Sequence, residues 1–405
     1  MQKKLIALAI AGLVSGGALA QSNVTMYGVL DANVNWSDSG FGRKMQVGTG
    51  GYNASRFGFR GSEDMGGGTK AVFVLEAGFS MDTQSMGAGA PANTGAGNAG
   101  NFAGINTTVA STGGAPGTGS QIFSRQGLVG LEGGWGTMHL GRLYTATYTG
   151  TAVIADPAVG GLYGGLGNIQ SSGLVPRVNN GITYKTPNMN GLYGWFTYSA
   201  GSENNVSGPV QTTATTTACT ATTACTTDKA GRGYDLAGIY QNGPANAILS
   251  YWHFNRPSWA PGEYDLATAK GFLLAGNYDF GPVRLYAAYL SGKINGGNYE
   301  NVTKAYNQTK TLYGGVAVPV SASSRILVNY ERFDDQSVLN KDFKAWGAAY
   351  IYDLSKRSLM YTAYGKLNNS AAANQSLVTA GDEVGNVAKL GTSPTGFMIG
   401  MLHRF

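Results

Sequence analysis

The chain's 405 residues could make two or three ordinary domains, but its 63 glycines and 11% aromatics recur evenly with no linker-like shift, so one continuous unit is expected. Only 12% of residues are charged, and the abundant aromatics exclude a disordered chain; a mean hydropathy of −0.10 is too polar for a bundle of membrane helices. The formal net charge of +6 comes from lysines and arginines spread singly, which argues against a nucleic-acid partner and for a mild attraction of anionic solutes.

Residues 1–20 read as a secretory signal peptide. Lys3 and Lys4 form a positive start, 5–14 is an apolar stretch, and Ala18-Leu19-Ala20 is an A-x-A cleavage site, so the mature chain is expected to begin at Gln21. Loss of Lys3 and Lys4 with the leader brings the net charge from +6 to +4. The apolar stretch is too short for a spanning helix, and no later run approaches 18 apolar residues. The unit that follows, 21–405, is expected to be exported.

Alternation of period two then recurs along the chain. Predicted strands are 24–36, 54–61, 69–79, 121–131, 137–142, 180–186, 192–199, 234–241, 245–254, 271–279, 283–291, 311–318, 325–332, 343–352, 359–367 and 395–405. Short turns such as Gly133-Gly134-Trp135-Gly136 and Asn242-Gly243-Pro244 alternate with long connections, the longest at about 80–120 and 200–230. Sixteen strands, antiparallel hairpins, and turns short on one side and long on the other predict an all-β fold, an antiparallel transmembrane β-barrel. At about 24 residues per strand there is room for a tilted span of roughly 9–11 residues plus connections.

Parity gives each strand two faces. In the third predicted strand Ala71, Phe73, Leu75, Ala77 and Phe79 oppose Lys70, Val72, Val74, Glu76 and Gly78; in the second, Phe57 and Phe59 oppose Arg56, Gly58 and Arg60. An arginine held against lipid at the midplane costs about 2–4 kcal/mol. Arg56, Arg60, Lys70 and Glu76 are therefore expected to face a wet interior. In the last strand Phe397, Ile399, Met401, His403 and Phe405 share one face, and the terminal Phe resembles the C-terminal signature of bacterial outer-membrane barrels.

Cys219 and Cys225 sit in a Thr/Ala-rich tract at 211–227; a loop disulfide and two free thiols are both open readings, and no acidic or histidine cluster suggests a metal. His139, His253 and His403 lie singly on strands and share no local pattern with a nucleophile, so an enzyme is not expected. Gly66-Gly67-Gly68-Thr69-Lys70 lacks phosphate-loop spacing and precedes a strand. No cofactor is called for. Trp36, Trp195, Tyr198, Tyr251, Trp252, Tyr286 and Tyr289 read first as an interfacial girdle and second as a sugar-stacking path.

Several motifs in order carry a resemblance. Ser55-Arg56-Phe57-Gly58-Phe59-Arg60-Gly61-Ser62-Glu63-Asp64 opens it. Phe123-Ser124-Arg125-Gln126, Gly136-Thr137, Leu140-Gly141-Arg142, Asn179-Asn180-Gly181-Ile182-Thr183-Tyr184, Asp353-Leu354-Ser355-Lys356-Arg357 and His403-Arg404-Phe405 follow. Together they resemble the Gram-negative trimeric general porins of betaproteobacterial type. The resemblance implies a sixteen-stranded barrel in the outer membrane, among its lipid and lipopolysaccharide, and a homotrimer. It implies passive diffusion of small hydrophilic solutes, and a third loop at about 143–176 folded into the lumen as a constriction. It also implies an arginine ladder matching Arg56, Arg125 and Arg177, opposite acidic loop groups, of which Asp156 is the sole example here. Parity joins Arg177 to Lys185 on one strand, leaves Arg125 on the side of Val129 and Leu131, and makes Arg142 a further lumen candidate. A substrate-specific channel and a surface barrel acting as an adhesin through its long loops are the alternatives.

Overall fold

The computed structural model describes residues 23–82, 122–158, 160–166, 174–201, 231–256, 267–295, 308–338, 340–380 and 389–405. The predicted leader, Cys219, Cys225 and most of the two longest predicted connections lie outside the described residues. Among the described residues seventeen strands form one sheet. They are β1 (Asn23–Asp38), β2 (Arg43–Thr49), β3 (Arg56–Asp64), β4 (Lys70–Gly78), β5 (Gln126–Gly133), β6 (Gly136–Tyr144), β7 (Arg177–Lys185), β8 (Leu192–Ala200) and β9 (Arg232–Asn242). Then come β10 (Ala245–Arg256), β11 (Ala267–Asp279), β12 (Arg284–Asn295), β13 (Gln308–Ser321), β14 (Ser324–Asp335), β15 (Phe343–Asp353), β16 (Ser358–Asn369) and β17 (Thr395–Arg404). Between β6 and β7 lie a single helical turn, α1 (Ala146–Gly150), and a π-helical turn over Thr151–Ala155. Among the described residues, no helix is long and apolar enough to cross a membrane.

Each strand pairs antiparallel with its neighbours, and β1 closes the ring on β17, Val29 facing Arg404 and Asp38 facing Thr395. The other edge of β1 is shared: Ala32 to Asp38 pair with β2, and Asn23 to Val29 pair with β3. Seventeen segments thus make sixteen staves, one of them broken. At the break the Asp31 carboxylate accepts from the amides of Tyr52 (2.9 Å) and Asn53 (2.6 Å) and from the Tyr361 hydroxyl (2.6 Å). It thereby supplies acceptors that a continuous ladder would otherwise give. The terminal residue completes the seam: Phe405 N donates to Gly28 O at 3.2 Å and Gly28 N to Phe405 O at 3.1 Å. The Phe405 ring lies so close to Gly28 that a Cβ there would fall 2.3 Å from its Cζ and 2.9 Å from Arg56 O, so a side chain at this position would displace the ring and crowd β3.

The two faces differ as alternation requires. On β17 Phe397, Ile399 and Met401 are exposed, while Gly396, Met398, Gly400 and Leu402 are buried. The same split places Leu249 and Tyr251, Leu274 and Tyr278, and Trp346 and Tyr350 outside. Among the aromatics expected to form a girdle, Trp36, Tyr198, Tyr251 and Tyr289 follow the outer parity, whereas Trp195, Trp252 and Tyr286 follow the inner.

The inner face is divided. Over β1, β3 and β4 it carries Tyr27, Arg56, Arg60, Lys70 and Glu76. Over β8–β13 it is largely apolar: Ile239, Ile248, Trp252, Leu273 and Leu290 are buried against Leu143, Ala146, Ile154, Ala155 and Leu166. A second apolar cluster joins Leu162 and Tyr163 to β14–β17. The interior is thus charged on one wall and covered by the 145–166 segment on the other, rather than charged throughout.

Candidate functional site

The segment after β6 runs inward and is seated on the wall by fitted contacts. Thr145 caps α1, its hydroxyl accepting from Tyr148 N at 3.3 Å. The inward carboxylate of Asp235 on β9 accepts from Ala146 N (2.8 Å), Thr147 N (3.3 Å) and the Thr147 hydroxyl, meeting otherwise orphaned helix-start donors. Gly150 rests on Ile248, where a Cβ would stand 2.2 Å from Cδ1. Ile154 O accepts from Asn277 Nδ2 at 2.7 Å. Further on, Tyr163 lies across three strands at positions without a side chain. A Cβ at Gly347 would meet Tyr163 O at 1.8 Å, one at Gly365 its Cβ at 2.1 Å, and one at Gly396 its Cζ at 2.8 Å.

Asp156 does not line open space. It is 2% exposed and holds the segment's own backbone, accepting from Ala158 N (2.8 Å), Gly160 N (3.1 Å) and Leu166 N (3.0 Å), and from Tyr313 OH on the wall (2.8 Å). Burial pushes its carboxyl above the ordinary range, against the pull of those four donors. The expected acid opposite the arginines is therefore absorbed in fastening the loop. The acid that meets the arginines is Glu76, on the wall itself.

Glu76 joins a network on the charged face. Its Oε1 is 2.7 Å from Arg125 Nε, and its Oε2 is 3.6 Å from Arg56 Nε and accepts from Tyr27 OH at 3.0 Å. Arg56 also donates to Asn53 Oδ1 (2.8 Å) and Ala54 O (3.0 Å). Arg60 lies over the Tyr27 ring at 5.2 Å. Tyr144 extends the group: Arg125 and Arg177 lie 5.9 and 4.7 Å from its ring centroid, Arg177 donates to its hydroxyl at 3.1 Å, and it stacks on Tyr148 of α1. Four guanidinium groups therefore gather around one carboxylate, an excess of three positive charges.

Of the remaining sequence candidates, Arg142, Lys185 and Lys70 lie outside this network. Arg125 escapes the parity of Val129 because β5 begins only at Gln126; the residue before it is free to turn onto Glu76. Arg142 follows a bulge at Gly141, where φ is 130° and a Cβ would sit 2.1 Å from Gly127 O. Its guanidinium donates to Ser124 O (2.6 Å) and to Asn179 Oδ1, and it is not joined to Glu76. That irregular register, with Asn180 at φ 47°, also breaks the alternation that linked Arg177 to Lys185. Lys185 ends β7, 3.6 Å over the Trp195 ring, and Lys70 starts β4 opposite Asp64 and Glu132; neither reaches the network. Two inward basic residues went unnoticed in the sequence, Arg284, paired with Asp279 at 2.6 Å, and Arg325, paired with Asp353 at 2.7 Å. They line a recess of about 260 Å³ with Pro157 and Tyr286. Parity with Tyr286 and Leu327 was the available signal.

The histidines remain separate. His139 meets Glu132 at 3.1 Å, His403 meets Ser358 at 2.8 Å, and His253 stacks on Tyr234. Among the described residues no carboxylate bonds His403 and no group of three His, Cys, Asp or Glu could hold a metal.

Comparison with known proteins agrees with this architecture. The family model described as Gram-negative porin matches residues 7–372. Outer membrane porin protein 32 of Delftia acidovorans is 29% identical over the full length of both chains. An outer membrane porin protein of Bordetella pertussis is 27% identical, covering 90% of this chain and 94% of its own. Among solved structures, an anion-selective porin from Comamonas acidovorans superposes with a TM-score of 0.65 at 22% identity, covering 95% of this chain and all of that one. OmpT of Vibrio cholerae in its trimer form gives 0.63 at 12% identity, covering 95% and 99%. The continuous wall with apolar residues outside and a guanidinium cluster inside, matched end to end by such relatives, makes this chain a member of the Gram-negative porin family, an outer-membrane porin.

Proposed function

We propose that the protein is a general diffusion channel, open to small hydrophilic solutes and mildly selective for anions. The observation that carries this is the Arg56–Arg60–Arg125–Arg177 group with Glu76 as its one carboxylate, opposite a wall covered by the 145–166 segment. The segment narrows the passage and sets a size limit, and the excess of fixed cations raises the local anion concentration. Screening over about 10 Å at 0.1 M salt makes the preference fade as salt rises. An anion-selective relative of the same fold supports the sign. The chain acts as a channel and not as an enzyme; the separation of its histidines favours that reading.

The working unit is a homotrimer. Over β7–β16 the outer face bears tyrosines, such as Tyr184, Tyr240, Tyr278, Tyr330 and Tyr352, at the positions of an interfacial girdle. Over β1–β5 the outer parity carries Val24, Met26, Val34, Met45, Phe73 and Val129, with Trp36 as the one Tyr or Trp. An apolar sector without a girdle suits burial against another subunit.

Planar-bilayer recording of the purified protein in a KCl gradient tests the function. The expected record closes in three equal steps and has a reversal potential on the anion side that shrinks at high salt. Clear cation selectivity, or an electrically silent preparation, overturns it.

A further inference from the structure

Toward the short-turn end of the barrel, the periplasmic end of such a fold, the inner face carries a row of charges that the Glu76 group does not use. In strand order from β11 to β15 they are Asp279, Arg284, Arg325 and Asp353. The two arginines stand on either side of β13, which brings no charge between them: Arg284 lies opposite Ala317, and Arg325 opposite Pro319. Two strand spacings leave roughly 10 Å between the arginine-bearing strands. The row therefore reads acid, cation, gap, cation, acid.

Each arginine is held from its outer side. Arg284 donates to Asp279 Oδ2 at 2.6 Å and to the Tyr286 hydroxyl. Arg325 donates to Asp353 Oδ2 at 2.7 Å and to the Tyr52 hydroxyl. A guanidinium has five N–H donors, so both keep donors for a ligand. The side chains of Arg284, Arg325 and Asp279 are 42%, 29% and 36% exposed, and small solutes can reach them. The rest of the recess is apolar. Ala317 and Pro319 form its floor, Leu327 a wall, and Pro157 of the inner segment its roof. Pro157 sits so close to β13 that a Cβ at Gly315 would stand 2.9 Å from its Cδ. The volume of about 260 Å³ lies below the roughly 300–1,000 Å³ of pockets that take drug-sized ligands, so the occupant is small.

The charge pattern selects a ligand class. The two ion pairs cancel, so the recess lacks the positive excess of the Glu76 group. A plain anion would meet Asp279 beside Arg284, and a plain cation would meet both arginines. An α-amino acid carries a carboxylate and an ammonium on one carbon, a spacing that matches an arginine and an aspartate in contact. We propose that the recess binds a zwitterionic α-amino acid with an apolar side chain. Its carboxylate lies in the gap between Arg284 and Arg325, its ammonium on Asp279, and its side chain against Pro157, Pro319 and Leu327. The site shares no residue with the Glu76 group, and binding there does not depend on the conduction reading, so each can fail alone.

The test is a ligand-observed NMR titration of the full-length protein in neutral detergent. The probes are leucine, isocaproate (leucine without its ammonium) and isoamylamine (leucine without its carboxylate). Wild type is expected to bind leucine in the millimolar range and the two analogues on the order of fivefold more weakly, the upper end for a half-exposed ion pair. Arg325→Gln should weaken leucine by a similar factor. Asp279→Asn should reverse the order, so that isocaproate binds more tightly than leucine, a change of preference that a damaged barrel does not produce. Isocaproate binding to wild type as tightly as leucine would make this a plain anion site and overturn the proposal. So would an Asp279→Asn variant with the wild-type order of preference, or no leucine binding by wild type. Leucine binding with the expected order in an electrically silent preparation would support the site while the channel reading fails.

Discussion

Tyr163 and its three glycines allow the sharpest test of how the inner segment is held. Its ring, 1% exposed, removes about 150–200 Å² from water, roughly 4–5 kcal/mol at 25 cal/mol per Å². Its hydroxyl is buried without a hydrogen-bond partner, which gives back about 1–3 kcal/mol. The net hold is then about 1–4 kcal/mol. Gly347→Ala would set a methyl 1.8 Å from Tyr163 O, and Gly365→Ala one 2.1 Å from its Cβ. Overpacking costs typically about 1–3 kcal/mol, the same size as the hold, so either substitution should release the tip around Tyr163 while Asp156 keeps the base fastened. In single-channel recordings, open-channel noise should rise and mean conductance fall as the tip swings from the wall into the passage. Gly238→Ala, with no atom within 4 Å of the added carbon, is the control. Records of Gly347→Ala and Gly365→Ala that superimpose on wild type would refute the reasoning.

Asp156→Asn replaces one acceptor oxygen by an NH2 group facing the donors of Gly160 and Leu166 or of Ala158 and Tyr313, a loss of about 2–4 kcal/mol in the seat of the segment; proteolysis of intact barrels should show a new cut between β6 and β7, and an unchanged cleavage pattern would contradict the assignment. Glu76→Gln raises the cluster's excess from three positive charges to four and should move the reversal potential further to the anion side, while Arg56→Gln should move it back; shifts of the opposite sign would mean the cluster does not set the selectivity. Leu249→Arg, on the outer face of β10 midway between the rims, should lower unfolding stability in lipid by about 2–4 kcal/mol, measured by urea titration; an unaltered midpoint would place that face away from hydrocarbon.

The hairpins were legible because alternation is a local property: Phe397-Met398-Ile399-Gly400-Met401 states its two faces without help from any other strand. Where sequence reading failed, the missing information was a register or a distant contact. β2 went unseen because Arg43-Lys44-Met45-Gln46-Val47 is short and polar, and only its pairing with β1 makes it a strand. The bulge at Gly141 and the late start of β5 changed which way Arg142 and Arg125 turn, and each depends on a single residue of register. Asp156 could be recognised as an acid in a loop, but its four donors come from its own segment and from Tyr313, 157 positions away. The run Phe272-Leu273-Leu274-Ala275 did hint that β11 is apolar on both sides, as a strand covered on its inner face must be.

The seat of Tyr163 also has a temporal meaning. Its three receiving glycines belong to β15, β16 and β17, and β17 is also the strand that seals the ring against β1. The tip around Tyr163 can thus settle only once these three strands lie side by side, whereas the 146–156 stretch can seat earlier on β9, β10, β11 and β13. Docking of the tip and closure of the ring therefore depend on the same strand, and the passage takes its final shape only when both are done.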